Sequence, residues 1–600
     1  MIRIAYLPLL ASLLLVVGVS PAGAEAGDAP RRILEFRYKA PEAGEVFLVW
    51  GIQGWQVLPE ADRPPGTVVK NRVMNTPMTR GKGGFLAKVQ MDPAVTVEYG
   101  FLVTRTHDGI ELEIRPVWDG RKEFVVPPGE TPAVVEAESV HRLFPPIGPR
   151  IILFGLFCLL SAVGIAFLID FLLLRAQPGF RRIVVIIALI AIVEVGLGLR
   201  IGAAVLWNHE FPDSPDRLFG DEPDFNRMAL QLLDGQGFTW PGRVPLYPSL
   251  LAGLLWISKG SYHAVPYFQA LISMATIVFT YFLGKSIFGD RAGLVAAAWV
   301  SLSYVLIREP LRLQSEVLYT PVLLLSALAL VHATREPAPM RSALAGALIG
   351  IANLVRPALL FFPLWLALPL PFLRERRRMV KCWAIFCAVS LLVVSPWILH
   401  NYMKHRAILP LQTSRAILWQ GSPEYYHLVR DGGYTYLRIW KEILYGPGWE
   451  RNDPESVEGD RYWTRRALRS ILEEPTVYLR YAGEKLFTYW LGDPGADWGN
   501  RHIFSYAGLR QVGYSSYAAV QVIFARVLPI VALGILVFMR SLRSKSLPLL
   551  AILGYFTLLH ALTHAEARLS EPLQPLLLIV IAGALITAMD HRKGHATDPA

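Results

Sequence analysis

IILFGLFCLLSAVGIAFLIDFLL occupies residues 151–173. The stretch is almost wholly apolar, and at ~1.5 Å of rise per residue a helix of this length crosses a ~30 Å hydrocarbon core. Working outward, comparable runs recur at about 183–207, 264–284, 292–307, 316–332, 342–355, 357–372, 382–399, 520–539, 547–563 and 572–589. They predict a polytopic α-helical membrane protein with about 11 transmembrane helices in the mature chain. The runs on either side of Arg356 read as two tilted helices or as a re-entrant hairpin. The segment 244–257 is apolar but short and begins near Pro245-Leu246-Tyr247-Pro248, which suits an interfacial helix better than a span.

Composition agrees. Apolar residues make up 53% of the 600, and the formal net charge is +11. That charge does not mark a nucleic-acid binder, because the Lys and Arg residues sit in short loops between apolar runs. Arg175, Arg181 and Arg182 follow the first run, Lys285 and Arg291 the third, and Arg335 and Arg341 the fifth. Arg374, Arg376, Arg377, Arg378 and Lys381 follow the seventh, Arg540, Arg543 and Lys545 the ninth, and Arg592 and Lys593 close the chain. With alternating spans all of these fall on one side, which the positive-inside rule makes cytoplasmic. Loops at about 208–263 and 402–519, and the turn around His564, Glu566 and Arg568, then lie outside. Cys158, Cys382 and Cys387 lie in or beside apolar runs, so the soluble stretches hold no disulfide framework and no Cys/His metal spacing.

Residues 1–24 read as a secretory signal: Arg3, an apolar stretch from Leu9 to Val19, and Ala22-Gly23-Ala24 as a cleavage site. An uncleaved anchor is the alternative, and both place the following residues outside the cytoplasm. Residues 31–140 predict a soluble antiparallel β-sandwich. Strand patterns run at Ile33–Tyr38, Val46–Trp50, Phe85–Met91, Val95–Val103, Ile110–Ile114 and Phe124–Val126. Val95, Val97, Tyr99, Phe101 and Val103 alternate as a half-buried strand does, and Asp108-Gly109 is a hairpin-turn signal. The stretch from Tyr38-Lys39-Ala40-Pro41 through Trp50-Gly51 to Gly54-Trp55 resembles the start of glycogen- and starch-binding modules, as do Thr76-Pro77-Met78 and Tyr99-Gly100-Phe101. That resemblance implies a carbohydrate-binding role, with Trp55 or Trp118 stacking on a sugar ring; core or edge packing is the other reading of these indoles.

The outer loops hold the chemistry-bearing residues. Gly220-Asp221-Glu222-Pro223-Asp224-Phe225 is followed by Leu233-x-Gly235-x-Gly237-Phe238 and by Pro245-Leu246-Tyr247-Pro248. Further along stand Gln314-Ser315-Glu316-x-x-Tyr319, Gly350-x-x-Asn353-x-x-Arg356-Pro357, and Pro396-Trp397-x-x-His400-Asn401-Tyr402. Glu474-Pro475-x-x-Tyr478-Leu479 and Arg568-x-x-Glu571-Pro572 complete the series. In this order over residues 183–589 they resemble the GT-C membrane glycosyltransferases, particularly the bacterial branch related to protein O-mannosyltransferases and the lipid A aminoarabinose transferase. One departure is His400, where relatives usually carry Arg, so this position is expected to bind a phosphate more weakly, or only when protonated.

The resemblance implies transfer of a sugar from a polyprenyl phosphate to a glycan, lipid or protein acceptor at the periplasmic face of a bacterial inner membrane. Such a reaction needs a base near the acceptor hydroxyl and cations on the departing phosphate. Asp221 is the expected base and Asp224 its support. Arg356, Arg568 and His400 are the expected phosphate contacts, and Glu316, Tyr247 and Asn401 the expected orienting groups. A loop Asp before a helix also serves as a cap, and an Arg at a helix end also pairs or snorkels. Asp221, Glu222 and Asp224 leave a divalent cation open, with no metal ligand assigned. A ligase or polymerase using a lipid diphosphate donor, and a non-enzymatic export or sensor protein, are the competing functions.

Overall fold

The computed structural model describes residues 32–595 apart from 40–44, 54–55, 71–72, 82–83, 108–109, 118–124, 127, 130–132, 139–148, 178, 212, 219, 373–374, 410, 415, 432–438, 440–442, 446–451 and 492–513. The predicted signal segment, Trp55, Trp118 and the Asp108-Gly109 turn lie outside the described residues. The chain divides into two compact units, Met1–His141 and Arg142–Ala600.

The first unit is a sandwich of two sheets. Its strands are β1 (Arg32–Lys39), β2 (Glu45–Ile52), β3 (Val68–Lys70), β4 (Val73–Pro77), β5 (Thr79–Gly81), β6 (Gly84–Met91), β7 (Val97–His107), β8 (Ile110–Val117), β9 (Val125–Val126) and β10 (Ala133–Glu138). One sheet has the order β10-β1-β6-β5; the other runs β3-β4-β2-β7-β8, with β9 also on β7. Alternation decides which faces meet. Leu34, Phe36 and Tyr38 of β1 are buried against Leu48, Trp50, Tyr99 and Phe101 of the other sheet. The rings of Phe36 and Tyr99 lie 5.0 Å apart and those of Tyr38 and Phe101 4.6 Å, within the range of attractive aromatic pairs. The indole of Trp50 donates to Thr76 Oγ1 at 2.8 Å, which satisfies its polar edge in the core. The expected antiparallel pairing needs one correction, since β1 and β10 pair parallel. His107 lies opposite Ile110 across the β7–β8 pair, as a two-residue connection requires.

The second unit is helical, and the predicted runs fall on helices. The first lies in Pro149–Arg175, the second in Arg181–Glu210, the third in Val265–Phe288 and the fifth in Glu316–Arg335. The sixth lies in Pro339–Val355, the eighth in Arg376–His405, and the last three in Tyr514–Phe538, Leu547–Leu562 and Gln574–His595. Two runs are broken. The fourth becomes Asp290–Leu302 and Tyr304–Leu311, bent by 57° at Ser303. The seventh becomes the short pieces Pro357–Leu359, Phe362–Ala367 and Leu370–Phe372, with prolines at each start. Among the described residues five helices are long and apolar enough to cross a membrane, or six with the bent pair counted as one. The remaining runs are mostly shorter apolar helices, and Leu246–Ile257 is likewise a helix of 12 residues.

Two glycines set the closest helix contact. A Cβ on Gly346 would lie 2.3 Å from the Phe386 carbonyl oxygen, and one on Gly350 would lie 2.7 Å from Val393 Cβ. The helices Pro339–Val355 and Arg376–His405 therefore touch backbone to backbone, as small residues four apart allow inside membranes. Arg356 caps the first of them.

The helix ends sort into two groups. At one end Lys285 pairs with Asp290 at 2.9 Å, Arg291 with Asp170 and Asp590, Arg335 with the Ser286 carbonyl, and Arg378 with the Pro337 carbonyl. These are basic loops that the sequence grouped together. The other end of Val265–Phe288 is held by His263, whose backbone N–H donates to Asp213 at 2.8 Å. The loops carrying Asp221, Glu316, Arg356 and Arg568 gather at that end, through the pairs described next.

A carboxylate and arginine cluster as candidate active site

Asp221 precedes the helix Glu222–Leu233, and its side chain makes no capping hydrogen bond. The cap reading of this residue therefore fails, and the carboxylate is spent elsewhere. Gly220 before it has φ +64°, the left-handed region that glycine enters without strain, and this turns the loop toward Arg312. One oxygen of Asp221 accepts from Arg243 Nη2 at 2.7 Å and the other from Arg568 Nη2 at 3.0 Å. The same Arg243 nitrogen reaches Asp224 Oδ2 at 3.0 Å, so one guanidinium bridges the two aspartates. Asp224 also faces Arg227 at 3.3 Å, and Arg227 lies over the Trp240 ring at 4.1 Å and reaches Glu455 at 3.5 Å.

The remaining predicted residues have definite places. Arg356 Nη1 donates to Glu316 Oε1 at 2.9 Å, with Glu316 only 8% exposed, so these two expected site residues form a pair. Arg568 Nε donates to Glu566 Oε2 at 2.6 Å, and Glu566 Oε1 lies 2.9 Å from His564 Nε2. Glu222 is buried on Arg312 Nε at 2.6 Å. Tyr247 is fully buried edge-on to Phe225, and its hydroxyl donates to Gln269 at 2.8 Å. Gln269 in turn donates to the Pro310 and Arg312 carbonyls at 2.9 Å each. Tyr247 thus supports the floor beneath the Asp221 loop. Asn401 is buried, and it donates to the Leu411 carbonyl at 2.9 Å, beside the Trp397 indole, which donates to the same oxygen at 2.6 Å. His400 stacks on Trp397, with Nε2 3.2 Å from the Phe238 carbonyl. The structure therefore joins Asp221, Asp224 and Arg568 directly and pairs Glu316 with Arg356. Tyr247, His400 and Asn401 bond instead to Gln269 and to the Phe238 and Leu411 carbonyls.

Three participants were missed. Arg243 stands two residues before Pro245, so its place beside a selected motif was the available signal. Glu566 was visible only as part of an outer turn. Lys485 lay in an unassigned part of the outer segment. It is buried on the helix Pro475–Leu491, donates to the Gly421 and Thr563 carbonyls at 3.0 and 2.8 Å, and so pins the turn leading to Glu566 and Arg568. Burial pulls this amine down from 10.5 to about 7.

The cluster is electrically balanced. Asp221, Asp224, Glu316 and Glu566 face Arg227, Arg243, Arg356 and Arg568 through the contacts given above. It does not form a cation cradle: Arg243 stands between Asp221 and Asp224, and Glu222 turns to Arg312. Among the described residues no group of three or more His, Cys, Asp or Glu side chains is placed to hold a metal ion.

Residues 242–400 match the family model described as dolichyl-phosphate-mannose-protein mannosyltransferase. The matched stretch begins at Gly242, beside Arg243, and ends at His400, so it includes Tyr247, Glu316 and Arg356. The match is in keeping with the resemblance that the motifs carry. No curated protein sequence matches the chain. Among solved structures, the oligosaccharyltransferase AglB from Archaeoglobus fulgidus, in complex with an inhibitory peptide and a dolichol-phosphate, is similar at 15% identity and a TM-score of 0.42. That likeness covers 70% of this chain and 52% of AglB, so the chain spans about half the length of this relative. ArnT from Cupriavidus metallidurans bound to undecaprenyl phosphate is similar at 15% identity and a TM-score of 0.30, covering 65% of this chain and 77% of ArnT. At these scores neither structure assigns a role to any residue here.

Proposed function

We propose that this chain transfers a sugar from a polyprenyl-phosphate donor to an acceptor hydroxyl at the outer face of the membrane, with inversion at the anomeric carbon. The observation that carries the reading is Asp221 held between Arg243 and Arg568, uncommitted as a helix cap, at the bundle end opposite the basic loops. The acceptor oxygen bonds to the anomeric carbon as the bond from that carbon to the phosphate oxygen breaks. The phosphate leaves with the electron pair, and Asp221 takes the acceptor's proton. Each carboxylate oxygen has two lone-pair positions and so accepts more than one hydrogen bond. Arg243 and Arg568 offer guanidinium edges to the phosphate, whose charge grows as the bond breaks. Asp224 keeps Arg243 in place. Arg356 lends positive potential from its pair with Glu316.

The acceptor is a glycan, a lipid or a protein, and the membrane is a bacterial inner membrane with the site periplasmic. The sandwich is proposed to bind glycan and so to concentrate substrate near the membrane. Deleting the gene and analysing lipids and surface glycans by mass spectrometry tests the reading. Loss of one sugar, with its polyprenyl-phosphate form accumulating, is the expected result; unchanged glycans and lipids would count against it.

A further inference from the structure

Glu566 takes no part in the chemistry above, yet it makes the shortest contact with Arg568. Its Oε2 accepts from Arg568 Nε at 2.6 Å, while Nη2 of the same guanidinium reaches Asp221 at 3.0 Å. Arg568 therefore stands between two carboxylates, one of which, Asp221, is also paired with Arg243, so that Glu566 offsets the charge Arg568 would otherwise offer an anion. Their side chains are each about a third exposed, at 32% for Glu566, 32% for Arg568 and 30% for Asp221, so an arriving anion meets them from solvent.

The geometry around Glu566 is fixed from behind. Its backbone is extended, at φ −133° and ψ 146°, immediately before the 3₁₀ turn Ala567–Leu573 that carries Arg568. Its second oxygen lies 2.9 Å from His564 Nε2, and the His564 carbonyl lies 2.9 Å from His560 Nδ1. Lys485 ties the preceding Thr563 carbonyl to the outer segment. Burial raises the Glu566 carboxyl, but Arg568 and His564 beside it outweigh this and hold it well below the usual carboxylate range. The group is thus a permanent anion.

We propose that Glu566 is a positioning residue that turns Arg568 edge-on to Asp221 and limits its affinity for a lipid phosphate, so that the spent carrier is released. The inference rests on the polyprenyl-phosphate reading. With Nε taken by Glu566, Arg568 has only its Nη groups to present. The Glu566 charge cancels much of the attraction that Arg568 would exert on the phosphate, and its removal would leave the cluster with one more positive charge than negative. An enzyme gains rate from contacts that strengthen in the transition state, whereas tight binding of the departing phosphate slows its release.

This role and a merely structural one predict opposite signs. The experiment uses the purified full chain in detergent with undecaprenyl phosphate, without sugar, as the probe. Glu566→Gln keeps the size and removes the charge; Glu566→Ala removes both; Arg568→Ala removes the cation. Both neutral variants at 566 are expected to bind the probe on the order of three- to tenfold tighter, with the gain shrinking at high salt. Arg568→Ala is expected to bind it more weakly than wild type. Equal or weaker binding by a folded Glu566→Gln or Glu566→Ala overturns the inference, and so does misfolding of both, which would make Glu566 a structural support. Failure of the wild-type chain to bind the probe overturns the donor reading itself.

Discussion

Asp221 and Arg568 meet at 3.0 Å although 347 residues separate them in the chain. The contact joins the first outer loop of the bundle to the head of the last helix. It also turns two motifs recognised separately into one site, with Arg243 on the other oxygen of Asp221.

Asp221→Asn should abolish transfer while leaving insertion and folding intact. The amide keeps the shape and a carbonyl acceptor but cannot take a proton, and general-base catalysis contributes roughly a hundred- to ten-thousandfold. Asp224→Asn should lose less, because Asp224 holds Arg243 and Arg227 rather than facing Arg568. The check is a transfer assay on purified variants with a polyprenyl-phosphate sugar. A dead Asp224→Asn beside an active Asp221→Asn would reverse the two roles.

Arg243→Ala should raise the Michaelis constant for the donor and lower turnover. A hydrogen bond to a charged group contributes about 1.5–3 kcal/mol, equivalent to roughly ten- to a hundredfold. Arg243→Lys should recover only part of the loss, since an ammonium that bridges the two aspartates has no guanidinium edge left to present to the phosphate. Donor titrations on the three proteins decide this, and normal kinetics for the alanine variant would remove Arg243 from the phosphate site.

Arg356→Ala leaves Glu316 ionised at 8% exposure without its guanidinium. The expected destabilisation is about 3 kcal/mol, at the low end for a buried pair, because the Arg356 side chain is itself 23% exposed. Adding Glu316→Gln should restore most of the stability but not the activity. Thermal inactivation in detergent, read beside transfer, separates the two effects. If the double variant is as unstable as the single one, the pair is not what Arg356 stabilises.

Lys485 gives a pH signature. Burial lowers its folded-state value to about 7 from 10.5. Between those values the unfolded chain holds the extra proton, so stability should rise with pH across this window. It should be lost as pH falls toward about 7, and the penalty persists below it. Lys485→Met should flatten that slope. Melting curves in detergent at several pH values from about 7 to about 10 measure it, and an equal slope in the variant would mean another group is responsible.

The fold was legible where hydrophobic periodicity is strong. The runs at 316–332 and 382–399 lie wholly within single helices, and Val97, Tyr99 and Phe101 line the sandwich core. The bend at Ser303 was not legible, because neither Ser303 nor Tyr304 is a helix breaker. β3, β5 and β10 lie at sheet edges, where partial exposure weakens the apolar signal: Val68 is 53% and Val69 38% exposed. The acidic loop stood out by local motif. Its partners did not, since spacing along the chain carries no record that Arg568 lies beside Asp221. Tyr247 and Asn401 invited a site reading because they are polar residues in motifs. In the structure the Tyr247 hydroxyl bonds Gln269 and the Asn401 amide N–H bonds the Leu411 carbonyl.

The long separation of Asp221 and Arg568 also bears on how the protein is made. The Asp221 loop emerges from the ribosome hundreds of residues before Arg568, whereas Arg243 follows it after only 22 residues. The constellation closes only when the final helix enters the bilayer and brings Glu566 and Arg568 to the same end. A chain interrupted before Glu566 and Arg568 displays an acidic loop but not a finished site.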